Sequence, residues 1–231
     1  MTDEKSSPLV PTLRFPEFRE AGEWVEKMLD ELYDFKSTNS YSRDKLNYGN
    51  GSIKNIHYGD IHTKFFTLFD VNNELVPFVN DSELPKKTDS ESYCIESDII
   101  FADASEDLND VGKSIEIINT NGEKILSGLH TLLARQKGNS LIIGFGGYLF
   151  KSSRIRKQIE KEAQGTKVFG ISAKRLSNIK ICFPSDKAEQ QKIAACLSSL
   201  DELITAHSKK LDALKKHKKG LMQQLFPAVE E

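Results

Sequence analysis

The chain has 231 residues, 38% hydrophobic and 29% charged, with a formal net charge of −2. That length supports one domain of about 180 residues with its own core plus an extended element. The charge balance excludes a chain that holds nucleic acid by bulk basicity. No window approaches the ~18 apolar residues of a membrane span, and the N-terminus lacks an apolar signal core. Cys94, Cys182 and Cys196 show neither zinc nor disulfide spacing, so a cytoplasmic protein with no membrane partner is expected.

Residues 1–12 are polar and predict a loose N-terminal tail. Leu13–Phe18 sets two aromatics around a proline, as an anchored extended arm would. Apolar residues at 24, 25, 28, 29 and 32 fit either a short helix or a strand. Lys36–Asn55 is rich in Ser, Asn, Lys, Tyr and Gly; it reads as a polar loop longer than a connector needs, which points to function. In Ile53–Phe69, His57, Asp60 and His62 resemble metal ligands superficially. No fourth ligand has matching spacing, and polar residues at a strand edge are the simpler reading. Val76–Val79 is a short apolar run and Asp81–Ser92 a polar one.

Strands are expected at Asp98–Ala102, Ser114–Asn119, Ile125–Arg135 and Ser140–Ile143, separated by Asn-Gly turns and by Gly138-Asn139. Gly144–Gly147 lacks the spacing and the Lys-Ser/Thr ending of a phosphate loop. Tyr148–Ala163 reads as one basic amphipathic helix closed by Gly165, and Val168–Ile171 and Ile179–Phe183 as the last strands. The expected fold class is α+β: a mixed, β-rich domain over 13–184, one long C-terminal helix over 185–226 and a tail at 227–231.

Asp186 followed by Glu189 fits a capping box at the start of that helix. Ile193, Leu197, Leu200, Ile204, His207, Leu211, Leu214, Lys218, Leu221 and Leu225 then repeat in alternating steps of four and three. This is the seam of a coiled coil. About 38 residues at 1.5 Å each make a rod of roughly 57 Å. Such a rod needs a partner helix from a second copy or another subunit; the alternative is a helix folded back on its own domain.

Two basic clusters offset the overall charge. One holds Lys151, Arg154, Arg156, Lys157, Lys161 and Lys167 against Glu160 and Glu162; the other runs from Lys209 to Lys219 against Asp212. Each fits either a phosphate contact or a solvated helix face. A Gly-rich turn with an Asn/Asp-Pro-Pro-aromatic methyltransferase motif is missing, as are a nuclease acid pair with its lysine, a Walker lysine and a nucleophile elbow. The residues therefore describe a non-catalytic recognition module.

Gln164–Pro184, then Glu189-Gln-Gln-Lys-Ile-Ala-Ala-Cys-Leu-Ser-Ser-Leu-Asp201, form the most distinctive block. With Tyr58-Gly-Asp-Ile-His-Thr63, Ser97–Phe101, Val111-Gly112 and Lys219-Gly-Leu-Met-Gln-Gln-Leu-Phe226, it resembles type I restriction–modification specificity subunits over nearly the whole chain after Leu13. The resemblance implies a target-recognition domain that reads one half of a bipartite double-stranded DNA sequence, followed by a spacer helix. It implies docking to methyltransferase subunits, which carry S-adenosylmethionine, and through them to a motor–nuclease subunit. The chain itself would bind no cofactor and no metal.

A standard subunit holds two such units, so this chain looks like a half-subunit, pairing as an antiparallel homodimer or with a second half. If it reads DNA, Lys36, Ser40, Arg43, Lys45, Asn47 and Lys54 in the polar loop are the candidates, with Thr166 and Lys167 after the basic helix. Arg154, Arg156 and Lys157 would hold phosphates. The rival reading is a coiled-coil adapter or inhibitor of a restriction complex that reads no DNA.

Overall fold

Apolar runs of two to six residues, punctuated by Gly, Asn and Asp, give short strands that must share sheets to be buried. The computed structural model describes residues 9–84 and 89–227. In chain order these form β1 (Val25–Met28), α1 (Leu29–Leu32), β2 (Tyr33–Lys36), β3 (Leu46–Asn47), β4 (Lys54–Ile56), α2 (Tyr58–Thr63), β5 (Leu68–Asp70) and β6 (Phe78–Val79). There follow β7 (Ile99–Ala102), β8 (Ala104–Ser105), β9 (Ser114–Asn119), β10 (Ile125–Ser127), β11 (Thr131–Gln136), α3 (Phe145–Leu149) and α4 (Ser153–Glu162). The last elements are β12 (Phe169–Gly170), α5 (Ala173–Ser177), β13 (Lys180–Phe183) and α6 (Lys187–Leu225).

A five-stranded sheet runs β2-β11-β7-β9-β5 and a four-stranded sheet β10-β4-β6-β3; β1 pairs with β13 and β8 with β12. β5–β9 and β4–β10 are parallel and the rest antiparallel. The central strand β7 is buried on both faces, so it reads as a continuous apolar run. Ile100 and Ala102 join a core of Ile56, Ile61, Phe69, Ile115, Ile117 and Leu133. Phe101 faces the other way, edge-on to Phe150 at 5.0 Å.

The same alternation puts Glu116 on the face of β9 opposite Ile115 and Ile117, against α3. Its carboxylate accepts the amides of Gly144 at 2.8 Å and Gly147 at 2.7 Å. The two end amides of the Gly144–Gly147 segment are thus taken by a protein carboxylate. A β-carbon at Gly147 would stand 3.0 Å from Leu68 and 3.1 Å from Glu116, so any larger residue would push these neighbours back.

The structure departs from sequence expectation in several places. Trp24–Leu32 contains both a strand and a helix, β1 and α1. Lys36–Asn55 is not one loop: it carries a 3-10 turn at Arg43–Lys45, then β3 and the start of β4. Ile125–Arg135 splits into β10 and β11, which go to different sheets. Ser140–Ile143 is no strand, because its amides bond to side chains: Leu141 to Gln136 Oε1 and Ile142 to Gln190 Oε1.

Tyr148–Ala163 breaks into the end of α3 and α4. In one continuous helix Phe150 and Ile159 would point about 180° apart; the extended Ser152 re-aims the chain so that both are buried. The expected tails fall largely outside the described residues, at 1–8 and 228–231, as does part of the polar run, at 85–88.

α6 begins as expected but is capped differently. Asp186 accepts the Ala188 amide at 2.8 Å. Glu189 does not reach back to complete a capping box. Its buried carboxylate takes both prongs of Arg14, each at 2.7 Å, and Trp24 Nε1 at 3.2 Å. Gln190 donates to the carbonyls of Ser140 and Pro184. One compact unit ends at Gln191 and a second begins at Lys192. In the second, Leu200, Ile204, Leu211, Leu214 and Leu225 are all at least half exposed.

Candidate nucleic-acid interface

Asp60 anchors a polar cluster on the first compact unit. It lies in the first turn of α2, completely buried. Burial would raise its pKa; two cations outweigh that and hold the carboxyl below its ordinary range. Arg43 reaches from its 3-10 turn, with Nη1 at 2.7 Å from Oδ2 and Nη2 at 3.1 Å from Oδ1. Lys64, one helical turn after Asp60, brings Nζ to 2.8 Å from Oδ1.

Arg43 Nη1 also donates to the Tyr48 hydroxyl at 3.2 Å, and Lys64 Nζ donates to it at 2.9 Å. Arg43 Nη2 lies 3.3 Å from His57 Nδ1, which accepts the Gly59 amide. Burial, and then Arg43, lower the His57 pKa, so this ring stays neutral. Two half-exposed cations therefore sit on one buried anion, and the cluster shows solvent one net positive charge.

His57, Asp60 and His62 are not strand-edge residues: they cap and line α2. Both Asp60 oxygens are occupied, and among the described residues no group of His, Cys, Asp or Glu is arranged to hold a metal. Tyr58 packs against His57 and, edge-on, against His130 at 5.2 Å. His130 occupies the turn between β10 and β11 with φ of 54°, a left-handed conformation that costs a residue with a β-carbon. Its Nδ1 stands 3.2 Å from Asp103.

The other sequence candidates are placed as follows. Lys36 pairs with Glu91, Lys45 with Glu83, and Lys54 with Glu123 while standing over the Phe78 ring. Asn47 folds its side chain into its own turn, accepting the amides of Gly49 and Asn50. Ser40, Thr166, Lys167 and Lys157 are exposed. Arg154 pairs with Glu26, which Lys180 shares.

Arg156 is turned inward. Its Nη2 donates to the carbonyls of Asn109 and Val111, and burial lowers its pKa. It staples the loop before β9 to α4. Sequence reasoning missed Tyr48 and Lys64. Lys64 had a usable signal, four residues after Asp60 on a helix; Tyr48 had only its place in a polar stretch.

The family profile of the type I restriction modification DNA specificity domain matches residues 21–216. The chain belongs to this family. A putative type I restriction enzyme MjaX specificity subunit of Methanocaldococcus jannaschii is 34% identical over 145 residues, covering 61% of this chain and 33% of that protein. The MjaVIII specificity subunit of the same organism is 38% identical over 80 residues, 34% of this chain and 19% of that protein.

Among solved structures, the type I restriction-modification S subunit from M. genitalium superposes with a TM-score of 0.59 at 17% identity. It covers 95% of this chain and 48% of that one. The HsdS subunit from Thermoanaerobacter tengcongensis gives 0.51 at 18%, covering 94% and 47%. At such identities the likeness is one of fold. The chain spans about a third of the length of the first curated relative and about half of each solved S subunit.

Within this specificity domain the motif residues have physical roles. Tyr58-Gly59-Asp60 forms α2 and the charge anchor. Gly112, at φ of 66°, has room for no β-carbon, which would fall 2.8 Å from Ile159. Glu189 and Gln190 tie the first turn of α6 to the arm and to the segment before α3. Among the described residues no helix is long and apolar enough to cross a membrane.

Proposed function

We propose that this specificity domain is the non-catalytic DNA-recognition component of a cytoplasmic type I restriction–modification complex. It reads one half of a bipartite duplex target and docks methyltransferase subunits, which bind S-adenosylmethionine, and through them the motor–nuclease subunit. The observation that carries this reading is the extent of the family match, which takes in both the domain and most of the helix. Polar groups around Arg43, Tyr48 and His130 face base edges and backbone, and Arg154 and Lys157 add phosphate contacts.

The test is a mobility shift on random-sequence duplex, with and without the methyltransferase partner. The complex is expected to shift DNA with strong salt dependence, and the isolated chain to transfer no label from S-adenosylmethionine. A complex that assembles but shifts no DNA would favour the adapter or inhibitor reading.

The exposed seam of α6 is proposed to pair with a second copy, antiparallel. Parallel pairing in register sets Lys218 against Lys218 in an apolar layer, where desolvation and repulsion add. Antiparallel pairing sets Ile193 by Leu225, Leu197 by Leu221, Leu200 by Lys218, Ile204 by Leu214 and His207 by Leu211, so that each polar seam residue meets an aliphatic one. In a Cys196→Ser background, needed because Cys196 is exposed, Leu197→Cys with Leu221→Cys should cross-link between chains under mild oxidation. Efficient cross-linking of Leu197→Cys alone would show a parallel pair.

A further inference from the structure

The Tyr48 hydroxyl is an unusual donor. A phenol oxygen has two lone pairs and one proton. Neither Arg43 nor Lys64 has a lone pair to offer, so in both contacts, at 3.2 and 2.9 Å, the phenol oxygen must accept. Both lone pairs are then filled, and its proton is all that Tyr48 has left to give. Lys64 spends two of its three N–H groups, on Asp60 and Tyr48, and keeps one. Asp60, the nearest acceptor, is buried and already holds both cations. Tyr48 is 44% exposed.

The side chains of Arg43, Tyr48 and Lys64 therefore offer donors and no free lone pair, carry one net positive charge together with Asp60, and are braced from beneath by that fixed carboxylate. Such a set repels cations and suits a tetrahedral oxyanion. We infer that Tyr48 and Lys64, held by Arg43 and Asp60, form a site for one DNA phosphodiester, with the Tyr48 O–H and the Lys64 ammonium as its donors and Arg43 as a positioning residue. The inference rests on the DNA-reading function proposed above and names the backbone contact within it.

Tyr48→Phe removes the hydroxyl and no charge. Measured on the full chain with its methyltransferase partner, it should weaken duplex binding about tenfold, with the log–log salt slope and the melting temperature unchanged. Lys64→Gln should weaken binding and also lower that slope by about 0.9. Wild-type affinity in Tyr48→Phe, in a complex that does bind DNA, overturns the site and leaves the DNA-reading function standing. A wild-type complex that binds no DNA overturns both. Titration with inorganic phosphate separates the sources of the anion: if Tyr48→Phe loses phosphate binding but keeps DNA affinity, the site serves a free anion and the inference fails.

Discussion

Unfolding of the specificity domain should become easier as pH rises from 5 to 8, by about 2.5 kcal/mol through Glu116 alone. Burial pushes this carboxyl up to about 7 from an ordinary 4.5, against the Gly147 and Gly144 amides, which pull it down. The folded state then holds a proton that the unfolded chain releases. The contribution to stability is fully present below pH 4.5 and is lost as pH passes through 7. Asp98 and Asp103, also raised by burial, act in the same direction. Asp60 and Glu26 are held low, so their contributions are lost only on acidification. Urea titrations of wild type and Glu116→Gln at stepped pH isolate the term. The variant keeps an acceptor for one of the two amides and should lack this part of the slope; identical slopes would contradict the assignment.

Arg135→Ala should cost about 3–5 kcal/mol, the usual range for stranding one member of a buried ion pair. Asp98 precedes β7 with its side chain wholly buried and takes Arg135 Nε at 3.0 Å and Nη2 at 2.8 Å. Arg135 also ties down the carbonyls of Glu91 and Tyr93. Without it, among the described residues, the Asp98 carboxylate keeps the Ile95 amide and the more distant charge of Lys36. The double variant Asp98→Asn with Arg135→Ala should recover part of the loss, since no uncompensated charge remains. A single-variant loss below about 1 kcal/mol would mean that water already screens the pair.

What was legible in the sequence was what local patterning determines. β7 and β9 appear as apolar runs because both faces of β7 and one face of β9 lie in the core. α6 appears from its heptads and its Asp186 start. Partner choice was not legible. Nothing near Glu189 reveals that it pairs with Arg14 rather than capping its own helix, because the contact spans 175 residues.

Arg43 stood out as a cation in a polar stretch, but its role depends on Asp60, which sequence spacing suggested only as a doubtful metal ligand. Arg156 looked like surface charge on an amphipathic helix. The break at Ser152 turned it inward to carbonyls, and a single-helix reading has no means of showing that. In each case a long-range polar contact overrode a sound local inference.

The pairing of β1 with β13, Val25 opposite Phe183, has a consequence for synthesis. The first strand leaves the ribosome with its hydrogen-bonding edge open, and its partner is made only after almost all of the domain. At about 5–20 residues per second the wait is on the order of ten to thirty seconds. Arg14 and Trp24 wait longer still, until Glu189 emerges. The middle sheets can assemble from segments already made, so the nascent domain should pass through a state in which they are formed while the N-terminal arm hangs open. Chaperones and proteases would meet that state first, and substitutions in the arm would act there before they changed the finished protein.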